Sequence, residues 1–172
     1  RDDMPNLSLT GADGIGLFRT EFQFLVSATL PGRESQQRLY KSVLDAARDK
    51  PVVFRTVDIG GDKALPYLSD EKDEAENPAM GWRALRLSLD RSTLMKAQAR
   101  ALIEASAGRV LRVMFPMISE PWEYEEARAL IEEQIAWARK SKRKLPARVE
   151  FGAMLEVPSL AEMLDQLLPR ID

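Results

Sequence analysis

"PVVFRTVDIGGDKALPY", residues 51–67, decides how the rest of the chain is read. Val52, Val53 and Phe54 form a short apolar run, the pattern of a parallel strand covered on both faces. Arg55 ends that run, and Asp58, Gly60, Gly61, Asp62 and Lys63 follow closely. In parallel α/β proteins, ligands bind beyond the carboxyl ends of the strands. A core strand that ends in a guanidinium and opens into a charged glycine turn fits such a site.

Three more runs of this kind flank it, "GIGLFRT" (14–20), "RVLRVMFPMI" (109–118) and "VEFGAMLEVP" (149–158). Helical periodicity fills the gaps. Residues 34–48 put Leu39, Tyr40, Val43, Leu44 and Ala47 on one stripe. Residues 92–107 start at Ser92 as a cap, turn Leu94, Gln98, Ala101, Leu102 and Ala105 to one face, and stop at Gly108. Residues 120–140 run from Ser119, with Ala127, Leu130, Ile131, Ile135 and Ala138 inward. Their acidic start and basic end match the helix dipole. A last amphipathic piece begins near Ser159.

The order β-α-β-α-β-α-β-α predicts an α/β fold with a parallel sheet and outer helices. Four units fit a small doubly wound sheet or part of a (β/α)8 (TIM) barrel. A complete barrel takes about 250 residues, and this chain has 172. The longest connection, 58–78, is rich in Asp, Glu, Lys, Gly and Pro, and Asn77-Pro78 ends it as a helix start.

Composition narrows the chemistry. At 45% hydrophobic and 30% charged residues the chain is globular, and its net charge of -2 gives no bulk attraction for nucleic acid. The basic run "RKSKRK" (139–144) has no interleaved aromatics and reads as a solvated helix end. There is no cysteine, so disulfides, cysteine–zinc sites and thiol nucleophiles are excluded. No apolar run approaches the roughly 20 residues that span a bilayer, and the cytoplasm is the expected location. There is no histidine either. An imidazole base or a phosphohistidine must therefore lie outside these residues.

Arg19 and Arg55 fall at the ends of the first two predicted strands, and Glu156 at the end of the fourth. An arginine fork pairs bidentately with phosphate or carboxylate. A lone Glu beside a phosphate suits Mg²⁺, which takes one or two carboxylates and fills its other positions with water and substrate oxygens. Arg83, in "GWR", is placed to reach the same rim. Each residue also has a plainer reading. Arg19 can pair with Glu21 or Asp58 and merely close the rim, and Arg83 can be a solvated helix residue beside Trp82. Gly60–Lys63 can be ordinary loop geometry, and Phe115-Pro116-Met117 simple packing. Spacing alone leaves both sets open.

The blocks "DGIGLFRTEFQFL", "VVFRTVDIGGDKALPY", "ENPAMGWRALRLSLDR", "LRVMFPMIS" and "FGAMLEVPS" resemble, in order, the phosphoenolpyruvate–protein phosphotransferase family. These enzymes are Enzyme I of the bacterial sugar phosphotransferase system and its nitrogen-related paralogue. The wording is nearer the paralogue, and the choice between the two stays open. The likeness runs from about residue 10 to 168. It implies a (β/α)8 barrel that binds phosphoenolpyruvate and Mg²⁺ and acts as a dimer. Arg19 and Arg55 would bind the substrate phosphate, Arg83 would line the site and Glu156 would be a magnesium ligand.

The resemblance also implies phosphoryl transfer to a histidine on another domain, with release of pyruvate, and a downstream phosphocarrier protein as partner. Residues 1–172 would then be a fragment of the barrel. Its first strand would precede Arg1. The second magnesium ligand, a further arginine and a proton-donating cysteine would follow Asp172. Such a fragment is expected to be inactive alone, and its open sheet edges favour a homodimer or a strand-exchanged oligomer. The rival readings are a pyruvate phosphate dikinase or phosphoenolpyruvate synthase barrel, a non-catalytic phosphoenolpyruvate-sensing module, and, apart from any resemblance, a small doubly wound phosphate-binding protein.

Overall fold

A computed structural model of the chain describes residues 9–25, 31–57 and 92–172. The turn at Asp58 to Lys63, the helix start at Asn77-Pro78 and Arg83 lie outside the described residues. The elements are β1 (Ile15–Arg19), α1 (Glu21–Leu25), α2 (Arg33–Ala47), β2 (Val52–Arg55), α3 (Ser92–Ala105), β3 (Val110–Phe115), α4 (Pro121–Lys140), β4 (Arg148–Ala153), α5 (Pro158–Ala161) and α6 (Leu164–Leu167). A single 3₁₀ turn, Leu168–Arg170, follows.

The four strands form one parallel sheet in the order β1-β2-β3-β4. Each new strand is added on the same side of the last. A doubly wound sheet needs a reversal of that order, and none occurs among the described strands. The fold is therefore α/β with one-way winding, consistent with a partial TIM barrel.

Packing follows the sequence periodicity. On α2, Tyr40, Val43, Leu44 and Ala47 are buried. On α3, Leu94, Gln98, Ala101, Leu102 and Ala105 are buried. The Phe54 ring meets those of Phe18 and Tyr40 edge-on at 5.5 Å, and Phe115 meets Tyr124 at 5.8 Å. These contacts bind the helix-facing side of the sheet to its helices.

The strands are not covered on both faces, as their apolar runs predict. Leu111, Val113 and Phe115 of β3 are buried, whereas Val110, Arg112 and Met114 are half-buried. That less covered face of β3 carries charge. Arg112 and Glu150 stand opposite one another in register and pair at 2.7 Å, with Arg148 at 3.2 Å from the same carboxylate.

Two helix ends refine the expectations. The start of α4 is capped by Glu120, one residue after Ser119. The Ser119 hydroxyl donates to the buried carboxylate of Glu123 at 2.6 Å, beside the Ser119 and Glu120 N–H groups at 2.7 and 3.2 Å. The Ser92 side chain lies outside the described residues.

Gly108 does terminate α3, three residues past Ala105, with φ at +74° and its N–H donating to the Leu145 carbonyl at 2.9 Å. A methyl group there would meet nothing within 4 Å, so the cost of Gly108→Ala is purely conformational. It is expected to lower stability by about 1 kcal/mol, read as a shifted urea midpoint with an unchanged slope. Among the described residues, no helix is long and apolar enough to cross a membrane.

Candidate functional site at the carboxyl ends of the strands

Parallel register aligns the ends of the strands. Arg19 stands beside Arg55, Arg55 beside Met114, and Met114 beside Gly152. Paired residues of neighbouring strands share a face. Phe54 faces the helices, so Arg55 points to the opposite side of the sheet.

A buried carboxylate joins the two arginines. Glu21, the first residue of α1, is 1% exposed, and its Oε1 accepts from Arg19 Nε at 2.6 Å and from Arg55 Nη2 at 2.5 Å. The sequence reading had set an Arg19–Glu21 ion pair against a ligand-holding Arg19, and the ion pair is present. The two cations differ in access. The Arg55 side chain is 6% exposed and that of Arg19 is 41% exposed. Arg19 also lies over the Phe22 ring at 4.9 Å, and its terminal nitrogens make no hydrogen bond among the described residues.

Backbone placement comes from a buried polar chain. Thr20 Oγ1 donates to the Arg55 carbonyl at 2.8 Å, and Gln98 Nε2 donates to Thr20 Oγ1 at 3.0 Å. Gln98 Oε1 accepts from the Val57 N–H at 2.9 Å. The end of β2 is thereby tied to the turn after β1 and to α3.

Glu156 comes from the opposite edge of the sheet, after β4. Arg55 Nη1 contacts Met154 Sδ at 3.6 Å, and the Met154 N–H extends the β3–β4 pairing to the Phe115 carbonyl at 2.9 Å. Two residues on, Glu156 is exposed, and its Oε1 accepts from the Met117 N–H at 2.7 Å. Met117 has φ at +57°, a left-handed conformation that costs a non-glycine residue about 1 kcal/mol and is usually held by its surroundings. Here it turns the amide towards Glu156.

The other Glu156 oxygen makes no hydrogen bond among the described residues. Among the described residues, no group of three or more acidic side chains gathers there either. A single open carboxylate fits Mg²⁺, which completes its shell with water and substrate oxygens. Glu156 makes no hydrogen bond or ion pair with either arginine among the described residues.

The structure thus brings Arg19 and Arg55 together and sets the Glu156 segment against Arg55 through Met154. Sequence reasoning missed the sharing of Glu21, the contact of Met154 and the part played by Gln98. The sequence did hold one signal, since Gln98 is a lone amide on an otherwise apolar helix face.

Comparison with known proteins shows the family. The family described as "PEP-utilising enzyme, PEP-binding domain" matches residues 1–172. The chain belongs to this family. Curated relatives named phosphoenolpyruvate-protein phosphotransferase resemble it over nearly its full length. The protein from Staphylococcus carnosus is 42% identical over 171 residues, which is 99% of this chain and 30% of the relative. That from Haemophilus influenzae is 43% identical over 170 residues, 99% of this chain and 29% of the relative. That from Bacillus subtilis is 40% identical over 171 residues, with 99% and 30% covered. The chain therefore spans about 30% of the length of the relatives it matches.

Proposed function

We propose that the chain holds phosphoenolpyruvate in an enzyme that passes its phosphoryl group to a histidine and releases pyruvate, as a phosphoenolpyruvate-protein phosphotransferase does. The observation that carries the reading is the pair of strand-end arginines, adjacent in register and tied to one carboxylate. The names of the relatives favour this reading over a dikinase or synthase.

Phosphoryl transfer proceeds through a loose transition state, so the protein mainly positions groups and offsets charge. Arg19 and Arg55 hold the phosphoryl oxygens, and Arg83 makes a further contact with the substrate. Glu156 holds Mg²⁺. When bound, the ion supplies Lewis-acid stabilisation of developing negative charge. The bond between phosphorus and the enol oxygen breaks, a bond from phosphorus to the histidine nitrogen forms, and pyruvate leaves as its enolate. The sequence contains no histidine, so the acceptor is a histidine outside these residues, with a phosphocarrier protein next in line. The reading places the enzyme in the cytoplasm as a homodimer; residues 1–172 alone would self-associate or exchange strands, since β1 and β4 each pair on one side only among the described strands.

The test uses the whole enzyme. Arg19→Ala is expected to raise KM for phosphoenolpyruvate by roughly 10-fold or more, the loss of one charged hydrogen-bond partner. Glu156→Gln is expected to raise the Mg²⁺ concentration needed for half-maximal rate. Wild-type constants for both substrate and ion in these variants would overturn the assignment.

A further inference from the structure

The ion pair and the phosphate clamp are not alternatives. Both arginines spend a nitrogen on the same oxygen, Glu21 Oε1. The two nitrogens therefore lie within about 5 Å of each other, the reach of two hydrogen bonds meeting at one acceptor. Two guanidinium groups held that close can grip separate oxygens of a single phosphoryl group.

The location makes the arrangement rigid. Glu21 follows Arg19 by two residues and is separated from Arg55 by 34. It begins α1, is 1% exposed, and has a second oxygen, Oε2, that is buried with no hydrogen-bond partner among the described residues. A buried carboxylate persists only when opposite charge holds it. Here two cations do so through one oxygen, and their own repulsion is offset in return. Glu21 thereby takes one unit of positive charge from the pair.

We propose that Glu21 is a positioning residue for phosphoryl transfer. It fixes the spacing of Arg19 and Arg55 before substrate arrives, and it lowers their joint attraction for anions that are not the substrate. This rests on the reading of that pair as the phosphate clamp. Without Glu21 the site carries more positive charge but less order. Small anions then bind more tightly, while the transition state, which depends on placement, is stabilised less.

The test compares Glu21→Gln and Glu21→Asp with the wild-type whole enzyme, with inorganic phosphate as a competitive probe. For Glu21→Gln, kcat is expected to fall roughly 10- to 100-fold, the effect of one charge-assisted hydrogen bond. KM for phosphoenolpyruvate stays level or falls, and phosphate inhibits at about threefold lower concentration or less. Glu21→Asp keeps the charge but withdraws the oxygen by one methylene. It lowers kcat with no gain in phosphate inhibition.

A merely structural glutamate would instead worsen kcat, KM and phosphate binding together. Such a pattern, an unchanged kcat in Glu21→Gln, or loss of cooperative thermal unfolding in both variants overturns the proposal. Arg55→Ala separates this inference from the reading beneath it. If Arg55→Ala is silent, the clamp itself is refuted. If Arg55→Ala is damaging and Glu21→Gln is silent, only the role of Glu21 is refuted.

Discussion

Arg55→Ala in the whole enzyme is expected to lower kcat/KM for phosphoenolpyruvate by roughly 30- to 5,000-fold, the loss that follows removal of one partner from a buried charge pair. Arg55 is the less accessible of the two strand-end arginines, at 6% exposure against 41% for Arg19. Its removal does more than delete a phosphate contact. Glu21 is left with Arg19 alone, which draws the remaining cation away from the substrate. Arg55→Lys keeps the charge but replaces a planar fork with a point. One ammonium cannot match the 2.5 Å contact to Glu21, the 3.6 Å contact to Met154 and a phosphate contact together. Lysine is therefore expected to recover only a minor part of the loss. Pyruvate formation measured over a range of phosphoenolpyruvate concentrations gives the value. A kcat/KM within threefold of wild type for Arg55→Ala would refute the clamp.

The contrast between Arg55 and Glu21 defines what the sequence makes legible. Strand and helix order could be read because apolar periodicity is a local property. Tyr40, Val43, Leu44 and Ala47 on α2 are buried as their spacing requires. Arg19 and Arg55 stood out because each ends an apolar run, and sequential winding of the sheet then put them side by side. Their link through Glu21 is a contact across 34 residues that no local pattern encodes. The same holds for Met154, whose sulfur reaches Arg55 across 99 residues. The expectation that both sheet faces are covered failed for a related reason. The short apolar runs hid Arg112 and Glu150, which satisfy each other across β3 and β4. That pairing depends on register, and register is set by the whole sheet.

Gln98 carries the second large effect. It is fully buried on α3, and both its polar atoms are hydrogen-bonded within the protein. Its amide donates to Thr20 Oγ1 at 3.0 Å and to the Tyr40 hydroxyl at 3.3 Å, and its Oε1 accepts from the Val57 N–H at 2.9 Å. The chain continues at both ends. Thr20 donates to the Arg55 carbonyl at 2.8 Å, Tyr40 to Gln36 at 3.1 Å, and Gln36 to the Pro31 carbonyl at 2.8 Å. Each hydroxyl thus accepts from Gln98 and donates onward. Burial pushes the Tyr40 hydroxyl far above its usual titration range, although the bond from Gln98 opposes this, so it keeps the proton it donates.

Gln98→Leu nearly preserves volume but strands the buried Val57 N–H and removes both amide donors. One orphaned buried donor costs about 1–3 kcal/mol and each lost bond about 1, so the variant is expected to lose at least about 3 kcal/mol. In a protein of this size that corresponds to a melting temperature lower by roughly 6–12 °C. Tyr40→Phe, which removes one link and leaves Gln98 in place, is expected to cost about 1 kcal/mol. Thr20 and Val57 flank the two arginines, so Gln98→Leu also loosens the strand ends that present them. KM for phosphoenolpyruvate should then rise in the whole enzyme although no substrate contact has changed. A melting temperature within about 2 °C of wild type, or a KM unaltered in a clearly destabilised Gln98→Leu, would mean that this chain does not hold the arginines in place.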